Sequence, residues 1–259
     1  MRTDAAILEQ VAAEEHDDPD NARREFGAEF LGLDASTFFA DDLLGQAVDT
    51  SHELGRLPEP GDEVIAGADF GFRRNSSALA VLHKRGQRYL LAELVEVQPE
   101  DDEPLKPSAV CATFAQVLKR HGCSTIMADR HYLESVSEHL GEANIYVQPI
   151  EDRPDDVYVR ARDRFREGSV VLPPHRRLMA QLREVRARPT VGGGLSILLP
   201  KKPDGSHGDL VSALTLALWQ TYGDTTAAPA RPEDDFIARA IAKRERALLD
   251  NQQRPWWEE

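Results

Sequence analysis

The stretch EVIAGADFGFRRNSSALAVLHKRGQRYLLAELVEV, residues 63–97, decides the fold. It contains three strand-like runs rich in apolar residues, EVIAGADF (63–70), SALAVLHK (77–84) and RYLLAELVEV (88–97). The connections between the runs are short and carry glycine, serine or asparagine, which is typical of hairpin loops. Three consecutive strands joined in this way predict a three-stranded antiparallel meander.

Helices and strands alternate after the meander. Apolar spacing and glycine or proline breakers predict helix, strand, helix and strand at 107–121, 125–129, 133–140 and 144–150. Beyond them the pattern predicts an arginine-rich helix, a short strand, a helix, a strand and a strongly apolar helix, at about 156–167, 169–173, 176–186, 195–200 and 209–222. The order β-β-β-α-β-α-β predicts an α/β domain whose mixed sheet combines the meander with parallel strands and is flanked by helices.

Composition divides the chain into three parts. Residues 1–60 hold 15 acidic and 4 basic side chains and show helical patterns, which predicts an acidic helical arm or linker. The segment LPEPGDE (57–63) carries two prolines and a glycine, so we place a domain boundary near Gly61. The core domain is predicted at 61–224, and residues 225–259 predict a flexible tail with one amphipathic helix.

Charge, cysteine content and hydropathy exclude several classes of protein. The net charge is -14, yet the segment 153–202 holds 12 Lys or Arg against 5 Asp or Glu, so a polyanion could bind there. A solvated helix face explains the same arginines equally well. Two cysteines supply neither a disulfide framework nor a zinc ribbon. No apolar run approaches the roughly 18 residues of a membrane span, and the start is too polar for a secretory signal.

Three aspartates occur where a packed core would favour apolar residues. Asp69 ends the first apolar strand, Asp129 ends the fourth, and Asp209 opens the last apolar helix. In a meander followed by a helix and a strand, the fourth strand commonly lies parallel beside the first, which would bring Asp69 and Asp129 together. Adjacent carboxylates repel each other unless a cation lies between them, so a divalent metal fits this arrangement.

Each aspartate also has a purely structural interpretation. Asp69 precedes Phe70 and a glycine and could form a turn. Asp209 could be a simple helix cap. The placement of all three at strand ends and at a helix start is what favours a common site.

The element order and several segments resemble a known family. The order resembles the ribonuclease H-like fold, and the wording resembles the nuclease domain of the large terminase subunit of tailed bacteriophages. The similar segments are DPDNARREFGAEFLG and DASTFFADDLL in the arm, IAGADFGFRRNSSALAVL, REGSVVLPPHRRLMAQLRE, and HGDLVSALTLALW at the last helix. Members of this family often carry acids where this chain has Gly208, Ser212 and Asn75. No P-loop G-x-x-x-x-G-K-[ST] occurs, so the packaging ATPase of the family has no counterpart in this sequence.

The resemblance implies a metal-dependent endonuclease that cuts concatemeric double-stranded viral DNA during genome packaging. By position, Asp69, Asp129 and Asp209 would be the catalytic metal ligands, with His207 as a weaker candidate. The implied cofactor is Mg²⁺ or Mn²⁺ in a two-metal site, in which the ions activate a water and stabilise the leaving oxygen. The implied partners are double-stranded DNA, the terminase motor, the small terminase subunit and the portal, with no membrane, in the cytoplasm of an infected or lysogenic bacterial host.

Basic side chains near these aspartates are the predicted DNA contacts. They would hold the phosphate backbone by charge, without reading sequence. The predicted contacts are Arg73, Arg74, Arg130, Arg162, Arg166, Arg176, Arg177, Lys201 and Lys202. For the arginines next to the aspartates, a surface salt bridge is an equally good interpretation.

Two rival functions stay open. Another nuclease of the same fold, a junction resolvase or a transposase-type enzyme, would prefer branched DNA or defined ends. A catalytically silent packaging-assembly module would use the aspartates structurally and dock a motor, a portal or a small terminase subunit through the arm and tail.

Overall fold

A computed structural model describes residues 36–73, 75–99, 103–190, 195–199 and 208–221. Its strands are β1 (Ser36–Thr37), β2 (Glu63–Asp69), β3 (Ser77–Arg85), β4 (Arg88–Val97), β5 (Thr125–Ala128), β6 (Tyr146–Pro149), β7 (Val170–Val171), β8 (Arg186–Pro189) and β9 (Leu195–Leu198). Its helices are α1 (Asp41–Ala47), α2 (Pro107–Arg120), α3 (Leu133–Gly141), α4 (Pro154–Arg166), α5 (Arg176–Glu184) and α6 (Asp209–Trp219). The helices predicted at 3–15, 19–31 and 234–249 lie outside the described residues, as do Arg74, Lys201, Lys202 and His207.

A six-stranded mixed sheet with the order β6-β5-β2-β3-β4-β7 forms the centre of the fold. Strands β2, β3 and β4 pair antiparallel, as the predicted meander requires. Strand β5 lies parallel beside β2, with Gly67 opposite Met127 and Ala68 opposite Ala128. The predicted fold class and the predicted neighbourhood of the first and fourth strands are therefore confirmed.

Helices cover both faces of this sheet. On one face, apolar residues of α2 and α3, such as Phe114 and Leu140, pack in one cluster with Leu79 and Val81 of β3. On the other face, α4, α5 and α6 pack in a second cluster that includes Phe165, Leu182 and Leu214. The two clusters use alternate residues of the same strands because successive side chains of a strand point to opposite faces.

Gly67 lets α6 lie directly on strand β2. A Cβ atom at this position would lie 2.2 Å from the backbone nitrogen of Ala217 and 2.6 Å from the carbonyl oxygen of Ala213. Only a glycine fits between the strand and the helix at this distance. The close contact brings the start of α6, which carries Asp209, towards the end of β2, which carries Asp69.

A second, three-stranded sheet with the order β1-β8-β9 was not predicted. The sequence pattern placed a helix up to Arg186, but α5 ends at Glu184 and Arg186 begins strand β8. Only Ala187 of β8 is buried, so the strand is too short and too polar to show an apolar alternation. Its partner β1 lies about 150 residues earlier in the chain, as in the pairing of Ser36 with Ala187.

The described part of the predicted arm packs against the central sheet. Phe38, Phe39, Leu44 and Ala47 are buried in the same cluster as α4 and α6. The chain is also hydrogen-bonded to the segment after β7, where Leu172 N–H donates to the carbonyl oxygen of Ala47 at 2.8 Å. The domain boundaries given above remain predictions.

None of the helices in the described part of the chain combines the length and the apolar character that a bilayer span needs.

Candidate active site

Two of the predicted aspartates lie side by side at the ends of adjacent parallel strands. Asp69 is the last residue of β2, and Asp129 directly follows β5. The preceding residues, Ala68 and Ala128, are paired in the strand register. Because neighbouring strands lie about 4.8 Å apart and residues at the same register share a face, both carboxylates point to the α6 side of the sheet.

The two aspartates line a cleft that opens to solvent. This acid cleft has a volume of about 610 Å³. Its walls include Asp69, Phe72, Arg73, Asp129, His131 and Tyr132. The same two aspartates also line a narrower inner cavity of about 250 Å³, whose walls include Val157, Tyr158, Ser212 and Leu216. A molecule that fills the acid cleft therefore meets both carboxylates.

Asp69 has the strongest electrostatic perturbation of the three aspartates. Burial, together with the charges of Asp209 and Asp129, raises its pKa to about 7, while a hydrogen bond from Ser212 acts in the opposite direction. Among these groups the carboxylate has anionic neighbours and no cation, which is the environment that a bound divalent cation would stabilise.

Asp129 is more accessible than Asp69. Its side chain is 45% exposed, and its Oδ1 accepts a hydrogen bond of 2.9 Å from the backbone N–H of His131. Burial raises the pKa of Asp129, and the hydrogen bond from His131 lowers it in part. The backbone bond fixes one carboxylate oxygen, which leaves the other able to bind a ligand in the acid cleft.

Asp209 is buried and does not cap its helix. The N-cap of α6 is Gly208, in the left-handed region with φ 84°. The side chain of Gln181 accepts hydrogen bonds from the first backbone N–H groups, at 3.1 Å from Leu210 and 3.4 Å from Val211. The Asp209 carboxylate instead accepts a short hydrogen bond from the hydroxyl of Ser76, just before β3. This geometry rejects the cap interpretation of Asp209.

Glu96 is a fourth carboxylate of this region that the sequence analysis did not identify. It shares the Ser76 hydroxyl with Asp209, at 3.0 Å from Ser76 Oγ, and it forms an ion pair of 2.8 Å with Arg177. In the register, Glu96 lies opposite Ala78, which in turn lies opposite Asp69. Glu96 and Asp69 therefore lie in one row across the sheet.

A β-bulge is the reason that Glu96 faces α6. Val81 pairs with Glu93 but Leu82 pairs with Leu91, so Ala92 is an extra residue in β4. Its carbonyl oxygen accepts a hydrogen bond of 2.8 Å from the backbone N–H of Gly55. The bulge shifts the alternation, so that Leu91 and Leu94 both pack under α6 although they are three positions apart. Glu96 then follows Leu94 onto the same face.

The donor set fits a metal ion that is completed by substrate oxygens. Within the described ranges, no three His, Cys, Asp or Glu side chains lie close enough together to hold one metal ion. Asp69 and Asp129 line one cleft, whereas Asp209 is held by Ser76 and lines neither cavity. Mg²⁺ is commonly bound by one or two carboxylates, several waters and substrate phosphate oxygens. The pair of aspartates is compatible with that kind of site.

Two hydroxyl groups connect Asp69 to the arginine-rich helix α4. Ser212 of α6 hydrogen-bonds the Asp69 carboxylate, and its Oγ lies 2.9 Å from the hydroxyl of Tyr158. With Ser212 donating to Asp69, Tyr158 donates to Ser212. Ser212 stands at the position where the resemblance leads one to expect an acid, so here a hydroxyl occupies that place beside Asp69.

The predicted DNA contacts near the aspartates differ in their surroundings. Arg73 is exposed on the wall of the acid cleft. Arg130 is also exposed and forms a surface ion pair of 3.2 Å with Glu151. Such exposed pairs contribute little stability, so both guanidinium groups are available to a phosphate.

The arginines of α4 and α5 are more constrained. The guanidinium of Arg162 lies 4.3 Å from the ring centre of Phe38, and Arg177 is paired with Glu96. Arg166 lies 3.5 Å from Asp163 of its own helix. Arg176 is exposed at the start of α5. The structure thus gives Arg162 and Arg177 internal contacts and leaves Arg176 facing solvent.

Solved structures of large terminase nuclease domains share this fold. The large terminase nuclease of the thermophilic phage G20c is similar with a TM-score of 0.58 and 20% identity, over 71% of this chain and 98% of that one. The nuclease domain of the Thermus phage P74-26 large terminase has a TM-score of 0.56 and 19% identity, over 73% and 97%. The large terminase of bacteriophage HK97 has a TM-score of 0.58 and 12% identity, over 85% and 51%. The predicted ribonuclease H-like fold of terminase nuclease domains is thereby confirmed.

Other comparisons add two facts. Structures of the G20c nuclease with bound magnesium, cobalt and zinc are also similar to this chain. No protein-family model matches the sequence, and no curated protein matches it. At these identities the likeness establishes the fold.

Proposed function

We propose that this chain is a divalent-metal-dependent endonuclease that cuts concatemeric double-stranded DNA during phage genome packaging, as the nuclease part of a large terminase. One observation carries the proposal. Asp69 and Asp129 lie on adjacent parallel strands and share an open cleft, in the fold of large terminase nuclease domains. A fold alone hosts many functions, so the carboxylate pair is the decisive part.

The carboxylates of Asp69 and Asp129 would hold Mg²⁺ or Mn²⁺, with a second ion bound alongside the substrate. When bound, such ions activate a water for in-line attack and stabilise the leaving oxygen of a phosphodiester. Asp209 and Glu96, held by Ser76 and Arg177, add negative charge beside the pair. Ser212 holds the Asp69 carboxylate in a fixed orientation.

The DNA backbone would be held by arginines around the cleft. Arg73 lies in the cleft wall and would contact the phosphate nearest to the aspartates. Arg130, Arg166 and Arg176 would extend this contact along the duplex. Because phosphate contacts release counterions, we expect binding to show little sequence preference and to weaken steeply with salt.

The proposed biological setting follows the same fold likeness. This chain spans 51% of the large terminase of bacteriophage HK97 and 44% of a large terminase from another thermophilic bacteriophage. We propose that the domain works in the cytoplasm of the bacterial host with a terminase motor, a small terminase subunit and a portal.

Plasmid cleavage tests the proposal. We expect supercoiled plasmid to be nicked and linearised with Mg²⁺ or Mn²⁺, and not in EDTA. Asp69→Asn and Asp129→Asn should abolish cleavage, and Asp209→Asn should reduce it strongly. Asp42→Asn is the matched control, since Asp42 is an exposed aspartate of α1 that lines neither cavity, and this variant should cut like the parent. A parent protein that cuts no DNA, or aspartate variants that cut as well as the parent, would reject the nuclease assignment.

A catalytically silent assembly module is the second candidate. The observation that favours it is the lack of a three-ligand metal cluster among the described residues. Such a module would leave plasmid intact and would still bind packaging partners. A preference for branched over ordinary duplex DNA in the same assay would instead favour a resolvase-type nuclease.

A further inference from the structure

Tyr132 has an unusual backbone conformation at the wall of the acid cleft. Its φ is 57° and its ψ is 12°, in the left-handed region that favours glycine and asparagine. Tyr132 is the N-cap residue of α3, but its side chain makes no capping hydrogen bond. The conformation therefore costs free energy that capping does not recover, and such strain in a cleft points to a role for the side chain.

Packing holds the Tyr132 ring at the mouth of the cleft. The ring meets the buried ring of Phe72 edge to face, with centroids 4.8 Å apart and an interplanar angle of 70°. Phe72 is itself fixed, because its carbonyl oxygen accepts a hydrogen bond of 2.7 Å from the backbone N–H of Leu105. Tyr132 is nevertheless 41% exposed, one of three large apolar or aromatic side chains in the described part of the chain with such exposure. The ring is thus both immobilised and accessible.

The groups around Tyr132 suit a nucleotide. Asp129 lies three residues earlier on the same loop, and Arg73 follows Phe72 on the facing wall. The imidazole of His131 lies 6.0 Å from the Tyr132 ring and is 82% exposed. One cleft therefore combines carboxylates for a cation, a guanidinium for a phosphate, and two flat rings for a base.

We propose that Tyr132, assisted by His131, is a stacking site for the nucleobase next to the phosphate that is cut. This site rests on the proposed nuclease function and specifies its substrate. A base can stack on a protein ring only when one of its faces has left the neighbouring base, so the acid cleft takes a nucleotide that is locally unstacked. The enzyme then cuts frayed or opened duplex faster than fully paired duplex.

Asparagine at position 132 separates the ring from the backbone requirement. Asparagine adopts the left-handed region readily, so Tyr132→Asn removes the ring without opposing the conformation of the loop. Tyr132→Phe keeps the ring and removes only the hydroxyl. Tyr146→Asn is the matched control, because Tyr146 is 65% exposed on β6 and lines neither of the two cavities at the aspartates.

Binding without cleavage is the first measurement. A short single-stranded oligonucleotide carrying 2-aminopurine is titrated with each protein in EDTA. We expect the parent and Tyr132→Phe to change the 2-aminopurine emission on binding, as stacking does. Tyr132→Asn should bind about 5- to 100-fold more weakly, the range for loss of one base–aromatic stack, and should lose the emission change. Equal binding and emission for Tyr132→Asn and the parent would overturn the stacking site.

Cleavage is the second measurement and separates the two proposals. With Mg²⁺, the parent and Tyr146→Asn should cut a duplex with a short unpaired bubble faster than a paired duplex, and Tyr132→Asn should lose this preference. If the parent cuts no DNA but Tyr132→Asn still loses the emission change, the nuclease function fails and the stacking site stands. If the parent cuts DNA and Tyr132→Asn keeps the bubble preference, the stacking site fails and the nuclease function stands.

Discussion

The hydroxyl of Tyr158 lies 2.9 Å from the hydroxyl of Ser212, and Ser212 in turn hydrogen-bonds the carboxylate of Asp69. Tyr158 is buried on α4, and Asp69 ends the first strand of the central sheet's meander. The chain of two hydroxyl groups therefore links the helix that carries several candidate DNA-binding arginines to the proposed metal ligand. It orients one carboxylate oxygen of Asp69 and leaves the rest of the carboxylate for other ligands.

Removing the Tyr158 hydroxyl should weaken the site without unfolding the protein. In Tyr158→Phe the ring stays packed, but Ser212 loses its donor and can rotate away from Asp69. One neutral hydrogen bond contributes about 1 kcal/mol, so we expect about a fivefold rise in the Mg²⁺ concentration that gives half-maximal cleavage. Metal titrations of plasmid cleavage measure this, with Tyr146→Phe as the exposed-tyrosine control. An unchanged metal requirement would show that the hydroxyl chain does not position Asp69.

Asp69→Asn should stabilise the metal-free protein while it abolishes cleavage. The pKa of Asp69 is about 7 in the folded protein against an ordinary value of 3.8, because of burial and the charges of Asp209 and Asp129. From about pH 4 to 7 the folded protein keeps a proton that the unfolded chain releases, so stability falls as the pH rises, and above pH 7 the full penalty of the ionised carboxylate remains. The gain in Tm from Asp69→Asn should therefore be smallest near pH 4, grow up to about pH 7 and then level off.

Thermal unfolding in EDTA across this pH range measures the effect. Adding Mg²⁺ should raise the Tm of the parent more than that of Asp69→Asn, since only the parent retains both carboxylates. A variant that is less stable than the parent in EDTA at about pH 8 would contradict the electrostatic account.

Gly67→Ala should disturb the centre of the fold and the site together. The added Cβ would meet the backbone of Ala217 and Ala213, so α6 must move away from β2. Overpacking of this kind costs about 1–3 kcal/mol, and the shift of α6 also displaces Asp209 and Ser212. Urea unfolding and plasmid cleavage should both show a loss. The control is Gly45→Ala in α1, where nothing lies within 4 Å of the new Cβ and the helix should gain up to about 1 kcal/mol.

Arg176 and Arg177 should separate DNA binding from stability. Arg176 is exposed, so Arg176→Ala should weaken DNA binding at all sequences and reduce the salt dependence of log K by about one unit. Arg177 neutralises Glu96, so Arg177→Ala should lower the Tm by leaving a partly buried carboxylate without its ion-pair partner. Fluorescence anisotropy of labelled duplex between about 50 and 200 mM salt, with thermal unfolding of both variants, tests this division. A salt slope that Arg176→Ala leaves unchanged would exclude Arg176 from the DNA surface.

The parts of the fold that local patterns determine were predictable. Asp69 and Asp129 each end an apolar strand, and the rule that the fourth strand lies beside the first places them together. Glu96 was not predictable, because no residue type in LLAELVEV marks Ala92 as the extra residue of a bulge. The sheet that joins Ser36 to Ala187 was also missed, since pairing over such a separation depends on tertiary packing and not on alternation.

The bulge at Ala92 makes the length of β4 part of the chemistry of the acid row. Deleting that single residue would restore simple alternation and turn the distal half of the strand over. Val95 would then face the start of α6, and Glu96 would be driven into the apolar layer beneath α2. Insertions and deletions in this strand are therefore more damaging than most substitutions, because one residue of frame decides whether a negative charge reaches its neighbours or is trapped among hydrocarbon side chains.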